Sequence, residues 1–291
     1  VRGTDPRVVL GLHRSRHERR LLIGALDLGV TALDTSTNYL DFRSHQRLAR
    51  TAGDLLPKFT LSTKVGYFPG PDGVEHSLDP TRLHSAVEQA AKDLGREPDL
   101  VFLHNPEHSL REAIPHHHDL LAQACTALDA AAAKGLCAAW GVASWDPASL
   151  LNLIDTTAPT PAVLMVRAGL FVGARTLDAA DALIKGWCPC GGTVWGMSPF
   201  GGSTSAPVWD RIDPRVFLRD NSQLSRVQAA FRTAYHLPQV DSVAVGTDER
   251  AHLGELVGAL VGEVDERTVQ EYRSLLRDQT ARAVSLPEAP R

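Results

Sequence analysis

Eight short runs rich in Val, Leu, Thr and Ala recur along the chain, each separated from the next by a longer segment. They cover residues 8–12 (VVLGL), 31–34 (TALD), 60–65 (TLSTKV), 99–104 (DLVFLH), 137–143 (CAAWGVA), 162–168 (AVLMVRA), 193–199 (TVWGMSP) and 242–246 (SVAVG). Parallel strands need a crossover of a dozen or so residues, whereas antiparallel neighbours can be joined by a tight turn, so this spacing predicts a parallel sheet. Between the runs lie segments of helical periodicity: 18–29, 79–95, 119–135, 146–155, 177–186, 223–236 and 249–260, with a last packing helix over 265–284. The segment 79–95 is marked at both ends, by Asp79 as N-cap with Pro80 behind it and by Gly95 past its last turn. Eight strand-helix units predict an α/β fold, a single (β/α)8 barrel over residues 1–291 with a frayed tail at about 285–291. The open doubly wound alternative would show a GxGxxG turn after its first strand, and the sequence has none there.

Composition narrows the partners. With 30 Lys+Arg against 34 Asp+Glu the net charge is −4, and no basic block offers itself to nucleic acid. No stretch reaches the roughly 20 apolar residues that span a bilayer, and VRGTDPRVVLGL lacks a signal-peptide core, so the expectation is a cytoplasmic protein with no membrane partner. Four cysteines, at 125, 137, 188 and 190, are too few and too unevenly spaced for a disulfide framework. Cys188-Pro189-Cys190 has no partner pair at zinc spacing. The three successive side chains of His116, His117 and His118 diverge on a helix, and His13 has Gly11 where a metal-dependent barrel hydrolase needs a second His. No metal site is expected.

In a barrel, residues at the C-terminal ends of strands meet at one mouth. Asp34 and Tyr39 follow the second strand, Lys64 ends the third and His104 ends the fourth. Taken singly, each has a structural explanation: a turn cap, an edge cover, an ion pair, a backbone hydrogen bond. Together they make a chemical set. Lys64 in a strand destined for burial needs a carboxylate, and Asp34 is placed to supply it. A tyrosine ionises near pH 10, so Tyr39 becomes a useful acid only beside a cation such as Lys64. His104, with one ring nitrogen held by backbone, can direct the other at a carbonyl oxygen. The set holds no source of hydride or electrons, which implies a cofactor. Trp140 and Trp145 flank the fifth strand, each a packing residue or a ligand platform, and Trp209, in the long loop 201–214, is the better candidate substrate contact. The Pro/Gly-rich stretch 68–77 reads as a second pocket loop.

The segments GVTALDTSTNYLD, LSTKVG, FLHNPE, GLCAAWGVAS, WGMSPFGG and VAVGTDERAHLGEL follow one another as the signature blocks of the aldo-keto reductases do, and the chain resembles that family over nearly its whole length. The resemblance implies NAD(P)H-dependent, reversible reduction of an aldehyde or ketone, with Tyr39, Lys64, Asp34 and His104 as the catalytic tetrad. It also implies NADPH as cofactor, with NADH as the alternative, and a small-molecule carbonyl substrate. The protein would be a monomer or small homo-oligomer. Cofactor contacts map to Ser144, Met165, Met197, Ser198, Gly246, Thr247 and Arg250, and substrate contacts to Trp209 and Tyr67. The mapping departs from the family at Ala143-Ser144, Met165 and Met197, where a Ser-Asn pair, a Gln and an aromatic are usual. Asp248 and Glu249 fall where a 2′-phosphate usually meets neutral or basic groups. The individual pocket loops and Ala/Arg/Asp-rich composition suggest a specialised biosynthetic reductase. A non-catalytic nucleotide-sensing barrel and a metal-dependent barrel hydrolase are the competing readings.

Overall fold

In the computed structural model, which describes residues 7–71, 73–110, 117–155, 157–187, 192–219 and 223–285, the alternation becomes a closed barrel. Strand β1 (Arg7–Gly11) leads into helix α1 (Arg19–Asp27) and β2 (Ala32–Asp34) into α2 (Ser44–Ala52). Next come β3 (Thr60–Val65), an antiparallel hairpin of β4 (Tyr67–Gly70) and β5 (Gly73–His76), and α3 (Pro80–Leu94). Then follow β6 (Leu100–His104), the short α4 (Glu107–Leu110), α5 (His117–Ala133), β7 (Ala139–Ser144), β8 (Val163–Arg167) and α6 (Ala174–Trp187). The chain finishes with β9 (Thr193–Met197), α7 (Arg226–Ala234), β10 (Ser242–Val245), α8 (Arg250–Gly258) and α9 (Glu266–Ser285). Among the described residues eight parallel strands close in the order β1, β2, β3, β6, β7, β8, β9, β10 and back to β1.

The period-two pattern of each strand divides the core. Val8 and Leu10 pack outward with Leu21, Leu22 and Ala25 of α1, while Val9 turns inward to a cluster with Phe102, Met165, Trp195 and Ala244. The inner cluster fills the barrel below the mouth, so the mouth is closed from beneath. Helix α3 ends where its sequence says: the Asp79 side chain accepts from the Arg82 N–H at 2.8 Å, and Gly95 is left-handed at φ 72°.

Two expectations change, and one helix was not expected. Residues 146–155 form two single 3-10 turns, Pro147–Ser149 and Leu151–Leu153, instead of an α-helix. Pro147 and Leu150 are buried there while Leu151, Leu153 and Ile154 are only partly so, and Asn152, Ile154 and Asp155 are weak helix formers, so no fully buried stripe sustains a longer helix. The stretch 68–77 is largely the β4–β5 hairpin, not an irregular loop, because Tyr67 to Gly70 pairs with Gly73 to His76 in a two-stranded ribbon. Helix α2 had no sequence signal of its own: its buried side is Ser44, His45, Leu48 and Ala52, too polar to read as an amphipathic stripe. Residues 286–291, His116 and Cys188-Pro189-Cys190 lie outside the described residues. No helix among the described residues is long and apolar enough to cross a membrane.

His45 of α2 bonds through Nε2 to the Thr63 hydroxyl at 2.8 Å, and burial pushes its pKa down to about 4. The unfolded chain, with His near 6.5, therefore binds more protons between pH 6.5 and 4, and the folded protein loses stability as pH falls through that window. The size is about 3 kcal/mol. Urea midpoints at pH 7 and pH 4.5 should fall farther for wild type than for His45→Gln; equal falls would show that His45 is protonated in the folded state.

Candidate active site

Asp34 ends β2, Lys64 lies near the end of β3 and His104 ends β6, and because β3 pairs with both β2 and β6, the three converge inside the barrel. Asp34 is 3 % exposed and Lys64 2 %. The Lys64 ammonium pairs directly with Asp34 Oδ2 and donates to the Thr35 carbonyl at 2.9 Å and to the Tyr39 hydroxyl at 3.4 Å. The second Asp34 oxygen accepts from the Ser62 hydroxyl at 2.8 Å, so both oxygens of the buried carboxylate are satisfied. Burial alone would lower the Lys64 pKa, but Asp34 and then Tyr39 outweigh it and hold it above the ordinary value. Tyr39 sits on the loop after β2, where Leu40, Asp41 and Phe42 are all left-handed with φ between 51° and 61°. Each non-glycine residue there costs roughly 1–2 kcal/mol, so local strain is accepted to turn the chain directly behind the phenol. Burial raises the Tyr39 pKa more than Lys64 lowers it, so the group is a protonated phenol at neutral pH.

His104 is driven well below its ordinary pKa, first by burial and then by the Lys64 charge, so its ring is neutral. Its Nδ1 is held by the Ser36 hydroxyl at 3.1 Å, not by the backbone partner expected from sequence. Ser36 has one proton. Donated to Asn38 Oδ1, 2.6 Å away, it obliges His104 to carry its proton on Nδ1; donated to Nδ1, it leaves the proton on Nε2. The backbone carbonyl of His104 is fixed from the other side by His76 Nε2 at 2.7 Å, and His76 Nδ1 reaches the Ser109 hydroxyl at 2.7 Å. The β5 strand of the hairpin thus props β6.

An aromatic rim surrounds these groups. Tyr67 lies edge-on to His104 with ring centroids 4.9 Å apart and also touches His76 and His108, which places this predicted substrate contact at the mouth. His13, considered in the sequence only as a metal ligand, packs 5.1 Å from the Tyr39 ring. Among the described residues no group of three or more His, Cys, Asp or Glu side chains comes together as a metal site. Trp209 lies edge-on to Phe171, ring centroids 4.3 Å apart, and lines a cleft of about 190 Å³ against α7 with Phe200 and Arg226, so its contacts are with that satellite cluster and not with the tetrad.

The predicted cofactor contacts divide in two. At the mouth, Met165 is buried in the inner cluster as a floor, and Met197 and Ser198 are half-buried at the lip. Ser144 is fully buried, and its hydroxyl donates to Glu107 Oε2 at 3.2 Å. The other Glu107 oxygen accepts from the N–H groups of Trp145 and Asp146, so this pair clamps the end of β7 to α4. At the β10–α8 turn, Gly246 is exposed and the Thr247 hydroxyl accepts from the Glu249 N–H at 3.1 Å. The stem of Arg250 lies across Gly24 of α1. Asp248 is taken up by the β1–α1 loop: it accepts from the Ser15 hydroxyl at 2.8 Å and faces Arg16 Nε at 3.3 Å. Arg16, which the sequence did not single out, is shared between Asp248 and Glu18, the latter at 3.2 Å, and so offsets only part of the negative charge expected to oppose a phosphate. Helix α8 has no side-chain N-cap. Its first-turn N–H groups, with Arg250 and Arg16, form a donor set whose chemistry fits the phosphate end of a dinucleotide.

The sequence pattern of the Aldo/keto reductase family matches residues 14–178. No curated protein sequence matches the chain. Among solved structures, an aldo-keto reductase from Bacillus halodurans in its holo form superposes with a TM-score of 0.68 at 17 % identity, covering 93 % of this chain and 91 % of that one. An aldo-keto reductase from Klebsiella pneumoniae in complex with NADPH gives 0.66 at 18 % identity over 93 % and 91 %. The aldose reductase from Giardia lamblia gives 0.65 at 16 % identity over 94 % and 93 %.

Removing the ammonium while keeping its apolar stem leaves Asp34 as a buried carboxylate supported only by Ser62. Lys64→Met should therefore cost about 3–5 kcal/mol in unfolding free energy. A variant that unfolds at the wild-type denaturant concentration would place water against Asp34 and refute a dry ion pair.

Proposed function

The chain belongs to the aldo/keto reductase family, and from that premise we propose that Tyr39, Lys64, Asp34 and His104 carry out the NADPH-dependent reduction of an aldehyde or ketone to an alcohol. The observation that carries this reading is the Lys64 ammonium held on Asp34 while it donates to the Tyr39 hydroxyl. NADPH, when bound, supplies the hydride that reduces the carbonyl carbon. Tyr39 Oη holds the proton that the carbonyl oxygen takes. Once that proton leaves, the phenolate is stabilised by the ammonium 3.4 Å away, worth on the order of 5 kcal/mol at an effective dielectric of about 20, less the opposing contribution of Asp34. A neutral His104 with its proton on Nε2 donates to the same oxygen and orients it, a tautomer that requires the Ser36 hydroxyl to turn from Asn38 Oδ1 and donate to Nδ1.

The apolar floor of Met165 and the half-buried Met197 and Ser198 support a place for the nicotinamide over the strand ends. Arg250, Arg16 and the α8 N-terminus support the phosphate end, with Gly246 and Thr247 forming the turn between. Ser144 acts on this site through Glu107, as a positioning residue for the end of β7. The aromatic rim with Tyr67 supports the substrate side. Our reading includes a single barrel domain, a cytoplasmic, specialised biosynthetic role and a monomer or small homo-oligomer.

Purified protein should oxidise NADPH in the presence of a simple aldehyde, and Tyr39→Phe should lower kcat by at least about a hundredfold, the lower range for loss of a general acid. Undiminished turnover by this variant would remove Tyr39 from the acid role. NADPH should bind about tenfold more tightly than NADH, a difference of about 1.4 kcal/mol, and Arg250→Ala should erase that margin while leaving NADH affinity nearly unchanged. Fluorescence titration of both coenzymes decides this; an unaltered NADPH constant in Arg250→Ala would transfer the phosphate contact to Arg16.

A further inference from the structure

Arg167 is the last residue of β8, two positions beyond Met165 and on the same inward face of the strand. Met165 pairs across β7 with Ala143, and Ala143 pairs with His104, so Arg167 stands on the rim of the mouth above the layer that contains His104. Its guanidinium lies 4.8 Å from the centre of the Trp145 ring. Its Nε is buried and has no hydrogen-bond partner, and no carboxylate among the described residues pairs with it. Other shielded arginines find acceptors: Arg96 pairs with Asp99, Arg273 with Asp178 and Asp181, and Arg232 Nε donates to the Gly262 carbonyl at 2.7 Å. Burial lowers the Arg167 pKa more than the charge of Asp146 raises it. A buried donor without a partner costs roughly 1–3 kcal/mol, more when charged, and such a cost at a site mouth is recovered when a ligand brings the missing acceptor.

We propose that Arg167 is a specificity-determining contact that accepts an anionic group of the substrate, so that the preferred substrate is a carbonyl compound bearing a carboxylate or phosphate. The inference rests on the reading of the mouth as a carbonyl-reducing site. Trp145, 43 % exposed, has the guanidinium over its ring in a cation–π contact and so limits the directions from which an anion can approach. The substrate is the favoured source of the anion because the donor set suited to coenzyme phosphates lies at the β10–α8 turn, two strands or roughly 10 Å around the barrel from β8.

Dissociation constants of 4-carboxybenzaldehyde and benzaldehyde, measured by calorimetry on the full chain with NADP+ present, test this without turnover. Wild type should prefer the carboxylated compound by at least tenfold. Arg167→Met, which keeps the apolar stem, should abolish the preference, Arg167→Lys should restore part of it, and NADPH affinity should be the same in all three. Equal binding of the two aldehydes by wild type, or a preference that survives in Arg167→Met, would overturn the assignment. So would a weakened NADPH constant in Arg167→Met with the preference intact, which would give the anion to a coenzyme phosphate. A wild type that shows the preference but never oxidises NADPH with either aldehyde would defeat the carbonyl-reduction reading and leave the anion contact standing.

Discussion

The buried ion pair of Lys64 and Asp34 is the constraint around which the site is organised. Two charges at 2–3 % exposure are tolerated only when each polar atom finds a partner, and here Ser62, the Thr35 carbonyl and the Tyr39 hydroxyl complete the set. Those partners come from β2, β3 and the loop after β2, so the pair fixes the register of neighbouring strands as well as the direction of the phenol. The same ammonium helps keep His104 neutral from a neighbouring strand. One positive charge thus acts on both an acid and a hydrogen-bond donor, at each of which burial has the larger effect.

Around that pair the barrel mouth is held by polar clasps between elements distant in sequence. His76 ties the β4–β5 hairpin to the end of β6, Glu107 ties α4 to the end of β7, and Asp248 ties the β10–α8 turn to the β1–α1 loop. Each clasp satisfies backbone or hydroxyl groups that strand ends would otherwise leave unpaired. Two cations lie outside these clasps: Arg250 at the β10–α8 turn, its stem across Gly24, and Arg167 at the end of β8 against Trp145.

Much of this was legible because it depends on short-range rules. The two-residue and 3.6-residue periods, Asp79 and Gly95 as helix ends, and a lysine inside an apolar strand are local signals, and the strands, α3 and the Asp34–Lys64 pair follow them. Helix α2 and the turns at 146–155 were not legible, because one buries a largely polar face and the others bury only Pro147 and Leu150, with no buried stripe between them. The hairpin at 67–76 depends on which residues pair across it, and Pro and Gly in that stretch signal only that the chain turns.

The candidate site divides along the same line. The sequence by itself determined the barrel, the family resemblance and the four polar residues at the ends of successive strands, because strand order and residue spacing are written along the chain. Only the tertiary structure decided that Ser36 holds His104, that Ser144 serves Glu107, that Trp209 belongs to a satellite cluster, that Arg16 offsets Asp248 and that Arg167 is left without a partner. Each of these is set by side chains up to more than two hundred residues apart, and whether a charge or donor is paired is a property of the folded neighbourhood that no spacing along the chain encodes.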